Sequence, residues 1–82
     1  MIVAEDFTRG VGAILEASED VIYMGYPGPG TNSTTQAKWR IKKIETIILD
    51  GKSKTLIKWA DGNLEFDHIF DDCELLTYTF LK

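Results

Sequence analysis

Apolar and polar side chains alternate along most of this chain with a period of two, the pattern of strands half-buried on one face. Val21 to Tyr26 reads VIYMGY, β-branched and aromatic, and predicts a strand. After a break, Trp39 and Ile41 alternate with Lys38, Arg40 and Lys42, giving one apolar and one basic face. The phase changes at Lys42-Lys43, and Ile44, Thr46 and Ile48 continue out of step. A β-bulge or a strong twist near Lys43 is the expected cause. Asp50-Gly51 then signals a tight turn, TLIKWA (residues 55–60) a further strand, and Asp61-Gly62 a second turn. Leu64, Phe66, His68 and Phe70 alternate with Glu65, Asp67 and Ile69, Asp71-Asp72 interrupts, and LLTYTFLK closes as a last strand.

Two stretches depart from the alternation. Pro27-Gly28-Pro29-Gly30, followed by TNSTTQ, predicts one long loop over residues 27–36. The prolines fix φ and the glycines release it, so the loop has a mechanism. Near the start, Val3, Phe7, Val11, Ile14 and Leu15 fall at helical spacing. Gly10 and Gly12 would each cost a helix about 1 kcal/mol relative to alanine. An extended arm that runs from Val11 into a strand is therefore favoured over a helix.

Short strands joined by tight turns predict an all-β domain, an antiparallel meander curled into a small sandwich or partly open barrel of about five or six strands. Residues 1–20 are read as an N-terminal arm and 21–82 as a single β domain. A chain of 82 residues has a small core, so a partner subunit would add much to its stability. The formal charge of −4 argues against broad binding to nucleic acid. A single cysteine, Cys73, allows no intrachain disulfide and fits a reducing compartment. No apolar run approaches a membrane span, and no signal pattern opens the chain.

Few residues carry recognisable chemistry. Gly25, Gly28 and Gly30 lack the spacing and the following lysine of a phosphate-binding loop, so no cofactor is expected. His68 and Cys73 fall short of the four ligands of a structural zinc site, and His68 reads as a half-buried core histidine. No nucleophile stands at readable spacing from a base, and the chain is not expected to be an enzyme. Two binding features remain. Lys38, Arg40, Lys42 and Lys43 form a basic stripe, a candidate for single-stranded nucleic acid. Alternation sends Trp39 to the opposite face, which weakens that reading. Tyr26, Pro27, Pro29, Thr31 and Asn32, at and beside the loop, are the candidate protein interface.

Two segments, YMGYPGPGTNSTTQAKWRIKKI and IKWADGNLEFDHIFDDCELLTY, resemble a family of short bacteriophage-encoded proteins. The shared pattern takes in Tyr23, Gly25, Pro27, Gly30, Trp39, Ile41, Lys43 and Ile44. It resumes at Trp59, Ala60, Asp61, Gly62 and Asn63, then at Phe66, Asp67, Ile69, Asp71, Asp72, Thr77 and Tyr78. Phe70 stands where the family has Trp, and Cys73 where it has Arg. The resemblance implies a virion structural protein, a head decoration or a neck- or tail-associated subunit made in the host cytoplasm. Other virion proteins and further copies of the chain would be its partners. The competing expectation is a small intracellular β-barrel that binds nucleic acid or a host protein through strand 38–43.

Overall fold

The computed structural model describes residues 10–82, and the helical spacing that began at Val3 and Phe7 lies partly outside them. Within them, Ile14 and Leu15 are extended. They belong to β1 (Ala13–Ser18), which pairs with β2 (Val21–Pro27) across a short turn. β3 (Ala37–Leu49) and β4 (Lys52–Ala60) follow, joined at Asp50-Gly51. β5 (His68–Ile69), a 3-10 helix (Phe70–Leu75) and β6 (Tyr78–Thr79) complete the chain. All pairings are antiparallel in one six-stranded sheet, ordered β1-β2-β3-β4-β6. β5 lies beside β3 at Ala37 and Trp39, along the edge that β4 leaves free beyond Lys42. The all-β meander read from the sequence is the fold.

Both Asp-Gly pairs make the turns expected of them. Asp50 and Gly51 have φ of 54° and 76°, and Asp61 and Gly62 have 56° and 67°. Positive φ at both central residues gives the twist that fits a two-residue hairpin. The first turn sets the β3–β4 register, from Leu49 opposite Lys52 to Lys42 opposite Trp59.

The phase change at Lys43 does not come from a bulge. β3 pairs residue for residue with β2 from Trp39 to Glu45 and with β4 from Lys42 to Leu49, so no bulge interrupts it there. The strand is regular, and its apolar residues change sides. Trp39 and Ile41 face the concave side with Tyr23 and Gly25, while Ile44 lies on the convex side between Ile22 and Ile57. The concave positions next along β3 are charged. Glu45 lies 3.8 Å from both Lys43 and Lys58. Buried residues therefore occur on both faces, with Met24 and Ile44 on the convex one.

The main core is concave. Tyr23, Trp39, Ile41, Ala60, Phe70 and Cys73 form it, with Ala13, Leu15, Val21, Leu76 and Tyr78 packed around them. The 3-10 helix caps this side, and the rings of Trp39 and Phe70 lie 5.4 Å apart. Tyr23 and Tyr78 approach to 5.5 Å although β3 and β4 separate their strands in the sheet. Side chains this far apart in strand order meet because the sheet curls. Gly25 makes room for the closure, since a Cβ there would run into the rings of Phe70 and Trp39.

Two segments predicted as strands are shorter than expected. Of residues 64–70 only His68 and Ile69 are strand; Leu64 and Phe66 are exposed. The Asn63 side chain accepts a hydrogen bond from the Glu65 amide at 2.9 Å, a local turn that competes with a ladder. In LLTYTFLK only Tyr78 and Thr79 pair. Leu75 belongs to the 3-10 helix, whose first turn contains Asp71 and Asp72, carboxylates suited to a helix start. Among the described residues no helix is long and apolar enough to cross a membrane.

Candidate interaction site

The loop between β2 and β3 is held from inside. Gln36 reaches back so that its Oε1 accepts from the amides of Asn32 and Ser33, at 2.8 and 3.1 Å. Thr31 Oγ1 donates to the Gly28 carbonyl at 2.7 Å. Trp39, buried on β3, donates its indole N–H to the Ser33 carbonyl at 3.0 Å. The Thr34 carbonyl accepts from the Asp71 amide at 3.1 Å, which joins the loop to the 3-10 helix. This tract of small polar residues is therefore a firm platform built on the core, as its composition alone does not reveal.

A cleft of about 320 Å³ opens against the platform, lined by Gly12, Pro27, Thr31, Asn32, Ser33, Thr34 and Trp39. Three of the five predicted interface residues, Pro27, Thr31 and Asn32, line it together. Tyr26 and Pro29 do not. Tyr26 is on the convex side, where its ring lies 5.9 Å from Trp59. Pro29 is exposed in the turn before Gly30.

The basic stripe also divides. Lys43 is on the concave side, in ion-pair reach of Glu45 and 5.9 Å from the Tyr78 ring. Arg40 and Lys42 are on the convex side. The Arg40 guanidinium sits 4.3 Å above the Phe66 ring, and its Nε donates to the Leu64 carbonyl at 2.8 Å. Lys42 Nζ lies 5.3 Å from the Tyr26 ring and 5.5 Å from that of Trp59. Contacts at these distances are favourable cation–π geometry. Lys38 is exposed at the start of the strand. Trp39 is turned away from these cations, as expected, but three other aromatics, Tyr26, Trp59 and Phe66, accompany them.

That grouping was within reach of the sequence. Counting outward from the two-residue turn at Asp50-Gly51 places Trp59 opposite Lys42, which is the observed pairing. Phe66 carries no such signal, because the turn at Asn63 takes it off the strand period.

His68 is buried, as its pattern implied, with 8% of its surface exposed. Nε2 is 2.8 Å from Asp61 Oδ2 in hydrogen-bonding geometry. Nδ1 is 2.7 Å from Asp67 Oδ1 but lacks the direction of a hydrogen bond. The carboxylates sit at opposite ends of the ring and do not converge. Among the described residues no three His, Cys, Asp or Glu side chains gather as metal ligands. Cys73 lies within the 3-10 helix with its side chain buried, and burial, helped by the neighbouring Glu74 charge, pushes its thiol above the ordinary range. It packs there as a small apolar group.

Comparison with known protein families, with curated proteins and with solved structures gives no match. The geometry thus offers two surfaces: a cleft of mixed polar and apolar lining on an internally hydrogen-bonded loop, and a convex strip of cations among aromatic rings. The rigidity of the loop is testable. Gln36→Ala removes the acceptor for two amides and should cost about 1 kcal/mol of stability. Hydrogen exchange at Asn32 and Ser33 should accelerate at least fivefold; unchanged protection would show that Gln36 does not hold the loop.

Proposed function

We propose that this chain is a bacteriophage virion structural protein, a head decoration or a neck- or tail-associated subunit, that acts through protein–protein contacts. One observation carries the reading. The β3–β4 hairpin continues beyond the last β2 pairing, Val21 opposite Glu45, as a two-stranded ribbon. The ribbon presents Ile48 at 70% and Leu49 at 50% exposure. A free two-stranded ribbon is marginal in water, and apolar residues at its tip gain stability when a neighbouring subunit covers them. Leu75, Phe80 and Leu81 are exposed elsewhere, so the chain has more than one apolar contact point.

Three further features support this reading. Among the described residues the buried core is small. The loop platform is rigid, which lowers the entropy lost on association. The resemblance to short phage proteins covers residues 21–78, including the turn and aromatic positions that shape the sheet. Quantitative mass spectrometry of purified particles tests it. Hundreds of copies per particle fit a decoration or tube role, and about a dozen a neck or baseplate ring. Absence from particles overturns the reading.

The convex strip favours a second reading, an intracellular β-domain that binds single-stranded nucleic acid. Aromatic rings and cations share that face, as a stacking platform requires. Binding of this kind weakens with salt in proportion to the phosphates neutralised. Replacing Lys38 and Lys42 by alanine should reduce the log–log salt slope by about 1.4. Absence of binding, or a slope that the substitutions leave unchanged, contradicts it.

A further inference from the structure

Among the described residues the sheet is open, and its two free edges differ in charge. β1 is one edge. From Ala13 to Asp20 the chain carries Glu16, Glu19 and Asp20, all exposed, and no basic residue. β4 forms the other edge, because β6 pairs with it only at Trp59 and Ala60. Lys52 to Ile57 have no strand partner on that side among the described residues. From Lys52 to Trp59 the chain carries Lys52, Lys54 and Lys58 and no acidic residue. Lys58 already faces Glu45, which leaves Lys52 and Lys54 as the exposed cations of the edge.

We infer that copies of this chain join head to tail, β4 of one pairing with β1 of the next. This rests on reading the chain as an assembly subunit and names its partner as a second copy of itself. Strand direction permits the join. Successive neighbours in the sheet are antiparallel, so repeating the molecule beyond β4 brings in a β1 that is antiparallel to it. The side-chain pattern fits as well. Ile14 and Ile57 are convex, and Leu15 and Leu56 concave. One register sets Ile14 beside Ile57 and Leu15 beside Leu56, like against like on both faces. In that register Glu19 and Asp20, in the turn just past β1, fall against the basic start of β4 at Lys52 and Lys54, while Glu16 lies opposite Thr55 on the other face.

Lysines on a free edge ordinarily prevent strand addition. They do so by repelling a second basic edge and by resisting burial against an apolar one. An acidic edge turns the same lysines into a selector, which blocks β4–β4 and β1–β1 pairing and permits β4–β1. Such an interface is heterologous, so it generates a ring when the rotation closes and a filament when it does not.

Charge reversal in the full chain tests this, with sedimentation velocity as the readout. The unmodified chain should self-associate, and high salt should weaken the association. Lys52→Glu with Lys54→Glu, or Glu19→Lys with Asp20→Lys, should each raise the dissociation constant about tenfold or more. A mixture of the two reversed chains should associate again, and so should a chain with all four reversals. That rescue separates the edge contact from misfolding, which no mixture would repair. A monomeric unmodified chain, or association indifferent to the reversals, overturns the inference. Particle counts fail separately. A chain abundant in virions yet indifferent to reversal retains the structural role without this interface, while one that assembles through its edges but is missing from particles retains the interface without the role.

Discussion

Gly25 has no side chain, and two aromatic rings occupy the space. Trp39 comes from β3 on the same face, and Phe70 arrives from the 3-10 helix. Phe70 cannot cap the concave side unless β2 lets it down onto its backbone, and the other cross-sheet contacts depend on that closure. With the 3-10 helix seated, Cys73 is buried and the Tyr78 hydroxyl donates to its carbonyl at 2.8 Å. β6 then leads Tyr78 onto Tyr23, and the curl is complete. The 3-10 helix also receives the Thr34 carbonyl, so the same packing holds the loop platform in place. A core this small has few other contacts to replace it.

The change of face along β3 connects fold to interaction. A strand with one apolar face would leave its other face solvated. Here the first half of β3 serves the concave core and the second half the convex layer around Ile44. The concave side below the core is filled by Lys43, Glu45 and Lys58, an ion-paired group that contributes little stability where it is partly exposed. The hairpin past Glu45 therefore lacks a core of its own and carries its isoleucine and leucine into solvent. The shape that follows, 44 × 26 × 23 Å, belongs to an elongated body with an arm.

Much of this was legible from residue order. The strand at Val21, the long β3–β4 hairpin, both Asp-Gly turns and the loop at 27–36 all follow from alternation and turn chemistry. The parity change at Lys43 was visible, but its cause was not, since a bulge and a change of face leave the same trace in sequence. Separating them requires the partner strands, and Ile22 and Ile57 decide it. The 3-10 helix was hidden because its residues obey no strand period and its length supports no helical one. Of the candidate site, the loop residues in the cleft were legible by composition. Their rigidity was not, because it depends on Gln36, a residue whose type says nothing about where its oxygen points. The pairing of Trp59 with Lys42 was derivable from hairpin register; Tyr26 joins them through β2, across a long loop that fixes no register, and the company of Phe66 and Arg40 arises from a turn and a fold-back.

The closure over Gly25 is the premise most open to direct measurement, through the stability of Gly25→Ala in two backgrounds. In the native background the added methyl overpacks against Phe70 and Trp39 and should cost about 1–3 kcal/mol in urea denaturation. With Phe70→Leu already in place, that cost should fall, because the nearer of the two rings is gone while Trp39 remains. An equal cost in both backgrounds would contradict the account, since Phe70 would then not be the group that Gly25 admits.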